Sequence, residues 1–142
     1  MQVIYNVFEQ GPQEELFPAA LRHDVGVIVR VPLDEGGLTG RIREDTTFPP
    51  GDFREEYFVG DRRAQTWERV SAIASDLGIG PEELPAIALR FCVSAPAVST
   101  VIAGMRTSEN VRRNLAAVAE GPLGEPTLEL LRRHAWQRPA DW

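Results

Sequence analysis

The stretch Ser99-Thr100-Val101-Ile102-Ala103-Gly104-Met105-Arg106-Thr107-Ser108-Glu109-Asn110-Val111-Arg112-Arg113-Asn114 carries the key to this chain. It opens as a short apolar run rich in Val and Ile, the pattern of a buried strand. The run breaks at Gly104 and restarts as a helix at Thr107-Ser108, with Val111, Leu115 and Val118 on one apolar face. A strand that passes through a glycine turn into a helix presents unpaired backbone N–H groups and the positive end of the helix dipole. Arg106 stands just before that helix. Between Gly104 and Asn114 three arginines outnumber one glutamate, in a chain whose net charge is −6. Such a junction fits an anion, phosphate first of all, although a capped helix after a glycine turn is common and an arginine on a helix flank is ordinarily solvated. Asn110 and Asn114 lie four apart and Arg113 three from Asn110. This spacing puts them on one helix flank, where a flat polar ligand could meet them together.

Upstream, Gln2-Val3-Ile4-Tyr5-Asn6-Val7-Phe8 has the β-branched and aromatic content of a strand. Pro12 opens a helix that runs to about His23, with Pro18 inside it as a bend or restart. Val27-Ile28-Val29-Arg30-Val31 is a second strand, apolar on both faces except for Arg30, which predicts a parallel sheet covered on both sides. The following Pro32-Leu33-Asp34-Glu35-Gly36-Gly37-Leu38-Thr39-Gly40-Arg41 permits tight turning and close backbone approach. Residues 42–64 read as a long loop, a length that usually marks function or mobility. Helices are predicted over about 65–77, where Trp67, Val70, Ile73 and Leu77 share a face, and over about 81–95, where Leu84, Ile87, Ala88, Phe91 and Cys92 do. A third strand covers about 98–103. A helix then runs to about Ala119, a Gly/Pro linker spans 120–125, and a last helix starts near Thr127. With no tight hairpin between strands, the fold class is α/β with about three parallel strands and covering helices. Ligand sites of such sheets lie outside the C-terminal ends of the strands.

The chain has 142 residues, 43% hydrophobic and 25% charged, the composition of one globular domain over 1–142. The lone Cys92 excludes an internal disulfide and a thiolate metal cage, and its apolar helix face makes it a small core residue. His23 and His134 lack metal-ligand spacing, so no metal is expected. No stretch is long and apolar enough for a leader peptide or a bilayer span. The expectation is a cytoplasmic protein with no membrane partner. The acidic balance argues against nucleic acid. There is no lysine: all 15 basic residues counted as Lys or Arg are arginine. Schiff-base chemistry and a lysine proton relay are therefore excluded within these residues.

Taken in order and spacing, four segments resemble the C-terminal half of an aldo-keto reductase. They are Gln2-Val3-Ile4-Tyr5-Asn6, the Pro-Leu-x-x-Gly-x-Leu-x-Gly pattern from Pro32 to Gly40, Ala88-Leu89-Arg90-Phe91, and Ile102-Ala103-Gly104-Met105-Arg106 followed by Glu109-Asn110 and Asn114. The resemblance implies part of an eight-stranded (β/α) barrel, a partial TIM barrel, with NADP(H) extended across the strand ends. It implies that Gln2 bonds the nicotinamide carboxamide and that Arg30 takes the place where many members stack an aromatic ring. Val31, Pro32, Leu33 and Gly36 would line the pyrophosphate groove, with Arg41 reaching it. Gly104 belongs to the same cofactor-binding set, and Arg106 would meet the 2′-phosphate. Asn110 would lie near the adenine and Asn114 at its amino edge, while Arg113 replaces a frequent acidic residue.

The family's catalytic Asp, Tyr, Lys and His belong to earlier strands that are missing here. Tyr5 and Tyr57 are the only tyrosines, and neither falls at the catalytic position. No catalytic residue is assigned, and the chain alone is expected to be inactive. A full barrel needs roughly 250 residues. Half of one would expose two strand edges and an apolar inner face. Three expectations follow: one half of a split reductase completed by an N-terminal half-barrel chain, a truncated gene product, or a non-catalytic nucleotide-binding module that pairs with its own copy as a homodimer.

Overall fold

The computed structural model describes residues 1–138, so the last four of the 1–142 domain lie outside the described residues. Its centre is a three-stranded sheet of β1 (Gln2–Ile4), β2 (Val27–Arg30) and β3 (Val98–Ile102), in sequential order and all parallel. Val3 pairs with Val29 and Val29 with Val101, so one row of valines points to one face. The buried core lies on that face, and the helices accompany the sheet. They are α1 (Leu16–Arg22), a single turn α2 (Arg54–Tyr57), α3 (Arg62–Leu77), α4 (Leu84–Val93), α5 (Ser108–Ala119) and α6 (Glu125–Arg132). Val27 and Val29 are fully buried there against Val70 and Ile73 of α3 and Phe91 and Cys92 of α4. Each such side chain contributes about 1.5–3 kcal/mol through removal from water.

The opposite face is bare, which corrects the expectation of a sheet covered on both sides. It carries the rows Gln2, Ile28, Thr100 and Ile4, Arg30, Ile102. Gln2, Arg30, Thr100 and Ile102 are exposed. The alternation that hid Val27 and Val29 left Ile28 on the opposite face, only half-buried.

Local rules explain the other differences from the sequence pattern. β1 stops at Ile4 rather than Phe8, because the Asn6 carboxamide oxygen accepts the backbone N–H groups of Phe8 and Glu9, both at 2.9 Å, and turns the chain. The helix expected from Pro12 is interrupted: Gly11–Gln13 form a 3-10 turn and α1 restarts at Leu16, which puts Pro18 in its first turn, where no intrahelical N–H is needed. Segment 42–64 contains α2 and the start of α3. The face of α5 turned inward holds Asn114 and Ala117, while Leu115 is 57% exposed and Val118 is exposed too. The apolar stripe predicted to pack against the core therefore faces out. Gly40 has φ +68°, and a Cβ there would collide with the Pro81 carbonyl; this glycine is required on both counts.

Candidate functional site at the strand ends

The chain leaves β2 through a tightly wound segment. Val31, Asp34 and Glu35 all have positive φ, followed by Gly36 at +104°. Left-handed conformations cost side-chain-bearing residues of order 1 kcal/mol each, so something must hold them. Two anchors do. The Asn6 Nδ2 donates to the Val31 carbonyl at 3.0 Å. The Asp34 carboxylate, 2% exposed, accepts Arg138 Nη2 at 2.6 Å. Arg138 also donates to the Tyr57 hydroxyl at 2.7 Å and lies over the rings of Phe8 and Trp136. This Asp34–Arg138–Tyr57 cluster joins residues 104 positions apart and left no motif in the sequence.

From β3 the chain passes through Gly104 and Arg106 into α5. The Thr107 hydroxyl oxygen accepts the Asn110 N–H at 3.1 Å, capping the helix start. Asn114 Nδ2 donates to the Gly104 carbonyl at 3.2 Å and so fastens the turn to the helix. Arg106 is exposed and makes no hydrogen bond or ion pair among the described residues.

Between these two strand exits runs a groove of about 750 Å³. Its walls bring together Val31, Pro32, Leu33 and Gly36 from one side and Gly104, Arg106 and Asn110 from the other. The turn Gly51–Arg54 also lines it. An adjoining pocket of about 520 Å³ holds Gln2 and Arg30 with Asp34, Tyr57 and Arg138, and shares Val31 and Glu35 with the groove. Of the eleven residues singled out in the sequence, nine thus line one continuous depression. Arg41 is exposed and does not line it. Asn114 is turned to Gly104, and Arg113 pairs with Glu109 at 2.7 Å, so Asn110, Arg113 and Asn114 do not converge on one ligand surface.

The electrostatics of the depression are mixed. Glu35 has its pKa raised, first by burial and then by the neighbouring Asp34. Asp52 is held down to about 2, first by the side chain of Arg54, which donates to both carboxylate oxygens. Tyr5 lies away from the depression, 1% exposed, with its hydroxyl accepting from Gln13 and its pKa raised by burial. It cannot deliver a proton to the groove. Cys92 is buried, its Sγ 3.4 Å from the Tyr5 carbonyl, and burial pushes its thiol up to about 12. Among the described residues no group of His, Cys, Asp and Glu could hold a metal ion, and no helix is long and apolar enough to cross a membrane.

An open groove with an apolar floor, a glycine-bearing wall and one unpaired cation at a helix start suits an extended, phosphate-bearing ligand. A family model described as "Aldo/keto reductase family" matches residues 1–135. The chain is 29% identical over 130 residues to a probable voltage-gated potassium channel subunit beta of Arabidopsis thaliana, covering 86% of this chain and 39% of that protein. It is 26% identical over 122 residues to an NADH-specific methylglyoxal reductase of Escherichia coli (strain K12), covering 83% and 36%. A solved glycerol dehydrogenase from Gluconobacter oxydans superposes with a TM-score of 0.70 at 24% identity, over 97% of this chain and 43% of that one. The chain spans about two fifths of the length of the curated relatives it matches.

Proposed function

Since the chain belongs to the aldo/keto reductase family, we propose that it is the C-terminal, NADP(H)-holding part of such a reductase barrel. The observation that carries this reading is the groove that gathers Val31, Pro32, Leu33 and Gly36 with Gly104, Arg106 and Asn110 at the strand ends. Two further facts support it. Three sequentially ordered parallel strands form a continuous run of a singly wound barrel, and three of eight strands match the two-fifths share of the relatives' length. Gln2 and Arg30 line a pocket that shares Val31 and Glu35 with the groove, which leaves room for the nicotinamide end of the same cofactor.

The bound cofactor would supply hydride chemistry toward a carbonyl substrate. These residues bind and orient it: Arg106 takes the 2′-phosphate, Pro32 and Leu33 floor the pyrophosphate path, and Gln2 addresses the carboxamide. The family's catalytic Asp, Tyr, Lys and His have no matched positions in these residues, and the chain alone is expected to reduce no aldehyde. The bare sheet face and the free edges of β1 and β3 are the surfaces on which an N-terminal half-barrel would complete the site.

Titration of the purified chain with NADPH, with NADH as control, tests the reading. The expected result is saturable binding that weakens more for NADPH than for NADH in Arg106→Ala. A folded chain that binds neither overturns it. A second reading, a non-catalytic module paired with its own copy, is favoured by the exposed Leu115 and Val118 on α5 and by the unpaired edges of β1 and β3. Its test is a solution mass of two chains, reduced to one by Leu115→Arg.

A further inference from the structure

Arg30 is the one polar residue of β2, and the fold leaves its charge unanswered. It ends the strand on the bare face, in a row with Ile4 and Ile102. It is exposed and makes no side-chain hydrogen bond or salt bridge among the described residues. Gln2 lies one strand across and two residues back on the same face, because Gln2 pairs with Ile28. With strands about 4.8 Å apart and a rise of about 3.3 Å per residue, the two Cα positions are separated by roughly 8 Å. Both side chains line the pocket that continues the groove. A group held at its amide by Gln2 therefore lies within reach of the Arg30 guanidinium. Two acids, Glu9 and Glu35, line the same pocket, while Asp34 is taken up by Arg138.

The two redox forms of a nicotinamide ring differ by one positive charge: the oxidised ring is cationic and the reduced ring neutral. A fixed guanidinium repels the first and leaves the second unopposed. Resting on the cofactor reading above, we infer that Arg30 biases the nicotinamide pocket toward the reduced cofactor, weakening NADP+ relative to NADPH through its charge. Glu9 and Glu35 attract the ring cation that Arg30 repels, so the preference of the whole pocket is a sum, and the share of Arg30 is read from its removal. For one charge about 5 Å from the ring in solvent-exposed surroundings, that share is about three- to tenfold in the ratio of affinities. A tenfold share raises the reduction potential of the bound pair by about 30 mV and makes the bound cofactor a weaker hydride donor.

The experiment is a set of equilibrium titrations of the wild-type chain, Arg30→Met and Arg30→Lys with NADPH, NADP+ and 2′,5′-ADP, which has no nicotinamide. Methionine keeps an unbranched stem without the charge, and lysine keeps the charge without the planar fork. In Arg30→Met the affinity for NADP+ relative to NADPH is expected to rise about three- to tenfold, with 2′,5′-ADP unchanged. Arg30→Lys keeps the wild-type ratio, and the difference between the two variants shrinks as salt rises toward 1 M. Equal changes for NADPH and NADP+ in Arg30→Met, or a lysine variant that follows the methionine one, overturn the inference while leaving the cofactor reading standing. No saturable binding of any of the three nucleotides by the folded wild-type chain overturns both.

Discussion

Replacing Arg138 by alanine would strip the partner from the most deeply buried charge in the site. Asp34 is 2% exposed at its side chain, and Arg138 is the only side-chain hydrogen-bond partner it has among the described residues. The carboxylate is almost fully shielded from solvent. Gly37 packs so closely that a Cβ there would sit 2.6 Å from Asp34 Oδ2. Breaking a buried ion pair from one side costs about 3–5 kcal/mol, because the remaining charge is left desolvated and unpaired. For a chain of this size each kcal/mol moves the melting temperature by roughly 3–5 °C, so Arg138→Ala should melt about 10–20 °C below wild type.

The control is Asp34→Asn combined with Arg138→Ala. It removes the buried charge, and asparagine tolerates the left-handed backbone at this position, φ +52°. The double variant should therefore recover about 1–3 kcal/mol of the loss, a positive coupling that neither single change shows alone. Thermal and urea unfolding followed by far-ultraviolet circular dichroism would measure all four corners of the cycle. A loss below about 1 kcal/mol in Arg138→Ala, with an unchanged urea slope, would falsify the argument that this pair anchors the segment after β2.

Further outcomes follow from other parts of the structure. Gly40→Ala should destabilise by roughly 2–4 kcal/mol, since it joins left-handed strain to a clash with the Pro81 backbone; a variant that melts within a few degrees of wild type would contradict that geometry. Cys92 and Tyr5 both have folded-state pKa values raised by burial, Cys92 to about 12. Their contribution is whole below the unfolded thiol value, about 8.5, and is lost as pH rises toward 12. A melting temperature that holds to about pH 8.5 and then falls is expected, and a flat profile to pH 11 would count against it. The same burial makes the Cys92 thiol unreactive toward a disulfide reagent until denaturant is added; rapid native-state labelling would show it accessible. Leu115→Ser, at an exposed position, should change monomer stability by less than about 0.5 kcal/mol. A loss of several kcal/mol would place Leu115 in a core.

Much of the site was legible because its signals are local. The Val-Ile run, Gly104 and Thr107-Ser108 announce strand, turn and capped helix within a few residues, and the structure keeps all three. The glycines of the Pro32–Gly40 pattern mark a backbone that must wind left-handed, as Gly36 and Gly40 do. Periodicity likewise placed Val70 and Ile73 on the inner side of α3, and Leu84, Ala88 and Phe91 on that of α4.

What periodicity cannot say is which of two apolar faces finds a partner. Ile28 and Leu115 are as hydrophobic as Val29 and Phe91, yet Leu115 stays exposed and Ile28 half-covered, because burial depends on an opposing surface. Nor does sequence spacing report a contact between Asp34 and Arg138. The sequence by itself determined the alternation of strands and helices, the positions of the turns and the use of arginine for every strongly basic side chain in these residues, all of which rest on residue type and near neighbours. Only the tertiary structure decided which side chains share a groove, which charges are buried together and which face of the sheet lies open, because those follow from where distant segments come to rest in space.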